Sequence, residues 1–281
     1  MDEKGLGQRL QVARRAAGLT QQALCEKAGL SYSTLTKIER GAIRSPSIFT
    51  IRSIAAALDT TLDELLGQPP APTKQWQRSP SGVRFIYFDV NGCLVRFFHR
   101  AFTELARVSG QPADTVESAF WHYNDQACRG EISLAEFNQI LAERLSIPTL
   151  DWASYYLKAI EPMPKVADLI TWASKRYGVG LMSNIMSGLL DAIQTNGLLP
   201  AIKYDAIVDS SVVHSIKPEP EIYTVAAEKS GCEPAELLLI DDSRANLMAA
   251  DKLGWHVLWF DDFHPEESVQ HIQEALTPQS L

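Results

Sequence analysis

From Val83 onward the sequence changes its period, and that change limits the possible folds more than any other feature. Apolar runs of strand length, VRFIYFDV, GVGLMSNI, YDAIVDSS, ELLLIDD and WHVLWFDD, alternate with SGLLDAIQTNG, PEIYTVAAEKSG and RANLMAADKLG. The second set has helical spacing, and each member ends in glycine, a common helix stop. Strands that are apolar throughout and separated by helices predict a parallel sheet covered on both faces. Such sheets take their ligands at the carboxyl ends of the strands. The conspicuous polar residues fall there: Asp89 after the first run, Ser183 and Asn184 after the second, Lys217 beyond the third, Asp241 and Asp242 after the fourth.

An acid at the exit of a buried strand is costly unless it is used. A carboxylate so placed can attack phosphorus and form an aspartyl-phosphate. Phosphate and carboxylates repel, so a hard divalent cation, Mg2+, is expected to bridge them with one or two carboxylates and several waters. A serine hydroxyl and a lysine ammonium suit the remaining phosphate oxygens as charge develops.

Residues 1–67 follow a different pattern. Leu6, Leu10 and Ala13 form one apolar helical stripe ended by Gly18. Thr20 opens TQQALCEKAG, Ser31 opens SYSTLTKIERG, and Ser45-Pro46 reads as a cap and first-turn proline for a helix through Leu58. Thr60 and Asp63 resemble a capping pair for a last short helix. The middle pair, joined by a tight Gly-Leu-Ser turn, predicts a helix-turn-helix with Leu35 and Ile38 inside. Tyr32, Ser33, Thr36 and Lys37 then face outward, where polar side chains reach base edges. Gln21, Arg40 and Arg44 flank them and are placed to hold backbone phosphates.

Charge divides at the same place. Residues 1–67 carry 9 Lys+Arg against 7 Asp+Glu, while the remainder carries 17 against 27. A mildly basic segment joined to an acidic one fits two domains with different partners. The four prolines of QPPAPTKQWQRSPS make residues 68–81 a semi-rigid linker, giving domains 1–67 and 82–281. No run of about 18 apolar residues and no signal core occur, so a cytoplasmic chain without membrane partners is expected. Cys25, Cys93, Cys128 and Cys232 lack metal or redox spacing and read as reduced thiols.

Residues 6–67 resemble the Cro/repressor-type (XRE) DNA-binding family through LTQQALCEKAGLSYSTLTKIERG and SPSIFTIRSIAAALDTTLDELL. The resemblance implies backbone contact by Gln21, base reading by Tyr32, Ser33, Thr36 and Lys37, a double-stranded DNA operator, and a homodimer on two half-sites. Residues 83–262 resemble the haloacid dehalogenase-like hydrolases through FDVNGCL, MSN, the lysine of SIKPEPEIY, and LLLIDDSRANLMAA. That likeness implies a Rossmann-like domain with Asp89 as nucleophile and metal ligand. The metal site would also take the Asn91 backbone carbonyl and Asp242, with Asp241 in the same metal-binding set as support of the acidic cluster. Ser183, Asn184 and Lys217 would bind phosphate. Residues 97–165 would be a helical cap, and GEISLAEF and KPEPEIY point to the glucose-1-phosphatase-like branch. In such a cap His99, Trp121, His122, Tyr123 and Arg129 are candidates to face substrate.

Asn91 departs from the family pattern, in which most phosphatases carry an aspartate that protonates the leaving oxygen and then activates water. An amide cannot exchange that proton, and losing a general acid/base typically costs about 10²–10⁴ in rate. Three readings follow. The chain is a transcriptional regulator that senses a small phosphorylated metabolite or phosphate with weak or no turnover. Alternatively it is a Mg-dependent sugar-phosphate phosphatase recruited to DNA, or its second domain is inert and kept for dimerisation. The fusion to a DNA-binding domain favours the first.

Overall fold

The computed structural model describes residues 3–43, 45–58, 60, 65, 76–97 and 99–277. The chain forms two compact units, Met1–Gln75 and Trp76–Leu281.

The first unit contains α1 (Glu3–Ala16), α2 (Gln21–Ala28), α3 (Tyr32–Glu39) and α4 (Ile48–Leu58). Hydroxyls open its helices. Thr20 Oγ1 accepts from the Ala23 N–H at 3.0 Å, and Ser31 Oγ accepts from the Thr34 N–H at 3.1 Å. Each satisfies a donor that a helix start leaves open. Gly29 ends α2 at φ 66°, a left-handed conformation that costs glycine little. Leu10, Leu24, Leu35, Ile38 and Ile54 close into one core. One start differs from expectation. Ser47, not Ser45, caps α4, its Oγ accepting from the Thr50 N–H at 3.1 Å. Pro46 therefore precedes the cap instead of entering the first turn. The last short helix expected near Asp63 lies, apart from Thr60 and Leu65, outside the described residues.

The second unit begins with β1 (Phe85–Phe88) and β2 (Val95–Phe97), followed by α5 (Arg100–Ser109), α6 (Ala113–Cys128), α7 (Leu134–Leu145) and α8 (Trp152–Ala159). The chain then returns through β3 (Ile160–Pro162), α9 (Val166–Ser174), β4 (Gly178–Ser183), α10 (Leu189–Thr195), β5 (Ala206–Asp209), α11 (Ser210–Val213) and α12 (Pro220–Ser230). It ends with β6 (Leu237–Asp241), α13 (Arg244–Lys252), β7 (His256–Trp259) and α14 (Pro265–Leu276). Five parallel strands pair in the order β5-β4-β1-β6-β7. Phe85 and Tyr87 pack on one side of β1 with Leu237 and Leu239; Ile86 and Phe88 pack on the other with Leu181 and Ile240. The period of two in β1 therefore fills both layers, as expected of a strand buried on both faces.

The antiparallel pair β2–β3 is the stem from which α5–α8 rise as the cap. The cap has its own aromatic centre, where the Phe120 and Trp152 rings lie 4.4 Å apart and Phe102 and Phe137 pack beside them. Residues 76–81, expected to be linker, are part of this unit. Trp76 meets Phe85 edge-on at 5.2 Å, and the Gln77 N–H donates to the Arg176 carbonyl at 2.7 Å.

Candidate functional site

β1 lies between β4 and β6, so three neighbouring strand ends carry Asp89, Ser183 and Asp241 to one place. The Asp89 N–H still donates to the Ile240 carbonyl at 2.9 Å, which anchors the residue just beyond the sheet. Lys217 arrives on the loop before α12. Its Nζ lies 2.8 Å from Asp89 Oδ1, 2.6 Å from Asp241 Oδ2 and 2.8 Å from the Met182 carbonyl. An ammonium has three N–H donors, and here each has an acceptor. Burial alone would lower the Lys217 pKa, but Asp241 and Asp89 outweigh it and hold the group charged. Burial pushes Asp89 up to about 7; Lys217 opposes the rise, and Asp241 and Asp242 add to it. Burial, with Asp241 beside it, likewise pushes Asp242 up to about 6.

The loop after Asp89 turns at Gly92, at φ 89°. A Cβ there would lie 2.2 Å from Asp242 Oδ2, so only glycine lets that carboxylate approach. Ser183 Oγ is fully buried and has no hydrogen-bond partner among the described residues. A buried hydroxyl without a partner is costly; Ser183 lies at the strand end behind Asn184, which lines the cavity.

Asn91 is not idle. The Tyr156 hydroxyl, from cap helix α8, donates to Asn91 Oδ1 at 2.5 Å. Tyr156 is buried, and burial pushes its phenol well above the usual tyrosine range, so it donates as a neutral group. With one Oδ1 lone pair taken by Tyr156, the Asn91 amide keeps two N–H donors and a second lone pair for a ligand. The two residues line a cavity of about 580 Å³ beneath the cap, together with Asp89, Asp242 and Lys217. That is room for an organic group as well as a phosphate.

Several of the expected site residues also have protein partners. Asp241, expected among the metal ligands, is fully buried and gives its oxygens to Lys217, the Ser243 N–H and Asn246 Nδ2. It positions the lysine. Asn184, expected on phosphate, lines the cavity and also pins the Lys217 backbone: its Oδ1 accepts from the Lys217 N–H at 2.7 Å and its Nδ2 donates to the Lys217 carbonyl at 2.8 Å. Lys217 itself is saturated by protein acceptors and orients Asp89. Of the cap candidates only Trp121 lines the cavity. His99 sits near Glu117, Tyr123 accepts from Arg144, and His122 lines a separate surface hollow beside Arg144. Arg129 pairs with Glu219 at 2.7 Å and braces the cap against the core. Tyr156, Asn246, Asn124 and Asp125 are cavity residues that sequence reasoning missed. Only Asn246 carried a signal, as the first-turn polar residue of the helix after Asp241-Asp242.

In the first unit, Ser33, Lys37 and Arg40 are exposed at i, i+4 and i+7, one stripe running down α3 and past its end. Tyr32 is exposed, but its hydroxyl donates to Gln21 Oε1 at 2.9 Å, and Thr36 Oγ1 turns back to the Tyr32 carbonyl. Gln21 Nε2 donates to Glu39 at 2.6 Å, which also receives Arg14 at 2.7 Å. Gln21 thus joins α2 to a buried ion pair while its neighbour Tyr32 reaches the surface. Arg44 lies outside the described residues.

This geometry is matched by known families. Residues 83–254 match the model of the haloacid dehalogenase-like hydrolases. The chain belongs to that family. Residues 10–65 match a helix-turn-helix model, so a DNA-binding domain of the Cro/repressor type precedes the hydrolase domain. The mouse acyl-CoA dehydrogenase family member 10 is 25% identical over 231 residues, 77% of this chain but only 21% of that protein. Validoxylamine A 7'-phosphate phosphatase of Streptomyces hygroscopicus subsp. limoneus is 23% identical over 210 residues, 67% of this chain and 91% of its own. The regulator SinR of Bacillus licheniformis is 36% identical over 63 residues, 22% of this chain and 57% of its own. A family enzyme of Bacteroides thetaiotaomicron, an Asp-to-Ala mutant solved with magnesium and inorganic phosphate, shares the fold. Its TM-score is 0.56 at 22% identity, covering 63% of this chain and 94% of its own. Among the described residues no helix is long and apolar enough to cross a membrane.

The donor set of this haloacid dehalogenase-like domain suits a hard divalent cation. Asp89 and Asp242 each offer an oxygen within 4.8 Å of the other, and two carboxylates so close are a donor set for a hard cation. Cys93 lies in the same cluster, but burial holds its thiol protonated and sulfur is a soft donor. Carboxyls with folded pKa values above the unfolded ones take up protons on folding. Stability of the protein in chelator is therefore expected to fall as pH rises from about 4 to about 7. Urea titrations across that range check the sign; stability that rises throughout would mean the acids are not buried together.

Proposed function

We propose that the chain is a DNA-binding transcriptional regulator whose hydrolase-like domain binds Mg2+ and a small phosphorylated ligand as a sensor, with weak or no turnover. The observation that carries this reading is the amide at Asn91, held by Tyr156 beside an otherwise equipped nucleophile. Asp89, the Asn91 backbone carbonyl and Asp242 would hold the metal, which supplies charge neutralisation between phosphate and carboxylates. Ser183 would donate to a phosphate oxygen, which the unpartnered hydroxyl supports. Lys217 opposes the protonation of Asp89 that burial favours, and its ammonium fixes the position of Asp89 Oδ1. The Bacteroides neighbour with magnesium and phosphate, and the Streptomyces relative named for a phosphatase, support the ligand class. A homodimer on a two-half-site operator completes the reading.

The deciding measurement is phosphate release from a sugar-phosphate panel alongside thermal shift with and without Mg2+. Ligand-dependent stabilisation without release supports sensing. Wild-type turnover of roughly 1 s⁻¹ or faster, an ordinary enzymatic rate, makes the chain a DNA-targeted phosphatase instead. On the DNA side, Lys37→Ala is expected to weaken binding to the native operator selectively. Arg40→Ala should weaken all sequences alike and reduce the salt slope by about one unit. Gel shifts at several salt concentrations check both. Metal binding is expected to vanish in Asp242→Ala by calorimetry, and undiminished binding would put the metal elsewhere.

A further inference from the structure

We infer that the ligand of the capped cavity is a phosphate monoester of an alcohol that carries an ammonium group. This rests on the phosphorylated-ligand reading above and adds the chemistry of the ligand's organic end. Among the described residues lining the cavity, Lys217 is the sole cation; with Asp89 and Asp242 given to the metal, Asp125 and Asp262 are the remaining lining acids. Lys217 is spent at the base of the site on Asp89, Asp241 and the Met182 carbonyl.

The neighbouring arginines are engaged as well. Arg96 donates to the Asp262 carbonyl, Arg129 pairs with Glu219, and the Arg244 guanidinium lies 4.4 Å above the Trp259 ring. Sites that grip a second phosphate or a carboxylate use an Arg or Lys directed at it. None of the lining residues offers one, and a second anion would meet like charge.

The walls favour the opposite sign. Trp121 and Asp125 lie four residues apart on α6, hence on one face, and both line the cavity. Among the described residues the Asp125 carboxylate accepts a hydrogen bond from the amide of adjacent Asn124, at 3.2 Å. Phe97, Phe120 and Tyr156 add aromatic surface to the same cavity. Asp125 is exposed and has no ion pair among the described residues, and nearby Arg129 is held by Glu219; such a carboxylate, in a cavity that aromatic side chains also line, suits an alkylammonium by charge and by attraction to ring faces. A neutral polyol finds hydroxyl acceptors there but no counter-charge, and an anionic group finds neither.

The test is calorimetry on the full chain with Mg2+, using inorganic phosphate and four esters of similar size: phosphocholine, O-phosphoethanolamine, glycerol 1-phosphate and 3-phosphoglycerate. The ammonium esters are expected to bind at least about tenfold more tightly than 3-phosphoglycerate, the effect of one favourable charge contact, with glycerol phosphate between them. Asp125→Lys should reverse that order, and Asp125→Asn should flatten it. Equal affinity for the four esters, or no effect of Asp125→Lys on their order, overturns this inference while leaving the phosphate site intact. If inorganic phosphate and all four esters fail to bind, the phosphate-site reading falls and this inference falls with it.

Discussion

Replacing Asn91 with aspartate is expected to raise phosphate release from a sugar phosphate by about tenfold or more, within the usual range for a general acid/base. The rest of the apparatus is in place: Asp89 is held 2.8 Å from Lys217, and the cavity has room for the ester. The new carboxyl would occupy the amide's position and supply the proton that an amide cannot. Asp89→Asn in the same chain should abolish the gain, because no nucleophile remains. Tyr156→Phe provides the internal control. Without the hydroxyl the new carboxyl is no longer tied back to the cap. A change in Asn91→Asp turnover on adding Tyr156→Phe, with the fold intact by circular dichroism, shows that the cap hydroxyl governs this position. No rise in Asn91→Asp, alone or with Tyr156→Phe, removes Asn91 as the reason for slow chemistry.

Lys217→Met is expected to destabilise the second unit by about 3–5 kcal/mol, the usual consequence of leaving buried charge uncompensated. Lys217, Asp89 and Asp241 are all buried, with Asp241 fully so. Removing the ammonium leaves two carboxylates close together in a medium that screens them poorly. Asp241→Asn added to Lys217→Met should return part of the loss by removing one of those charges. The loss should also shrink as pH falls, because carboxylates without their cation protonate more readily. Urea denaturation at pH 5 and pH 8 reads each effect. A loss below about 1 kcal/mol, typical of exposed pairs, would mean that the triad is open to solvent.

Much of this molecule could be read from one sequence because its signals are local. The apolar run Phe85–Phe88, the Gly-ended helices after each later strand, and the Ser31 and Thr20 caps all depend on residues a few places apart. Periodicity and capping act over that distance, so the parallel sheet, the helix-turn-helix and the strand-end position of Asp89, Ser183 and Asp241 follow from them. The misassigned cap of α4 also has a local cause: Ser45 and Ser47 both flank Pro46, and backbone geometry, not residue type, selects between them.

The tertiary structure alone decided which side chains meet. Asn184 and Asp241 have the residue types that bind phosphate or metal, but packing gives their polar atoms to Lys217. Tyr156 is separated from Asn91 by 65 positions, and its hydrogen bond exists because the β2–β3 stem sets the cap over the loop after β1. Asp125 reaches the cavity while His122 and Tyr123, three and two places before it on α6, do not. A helical period shows which residues share a face. Which face looks into a cavity depends on how the cap docks, a matter of contacts between distant parts of the chain that no local pattern encodes.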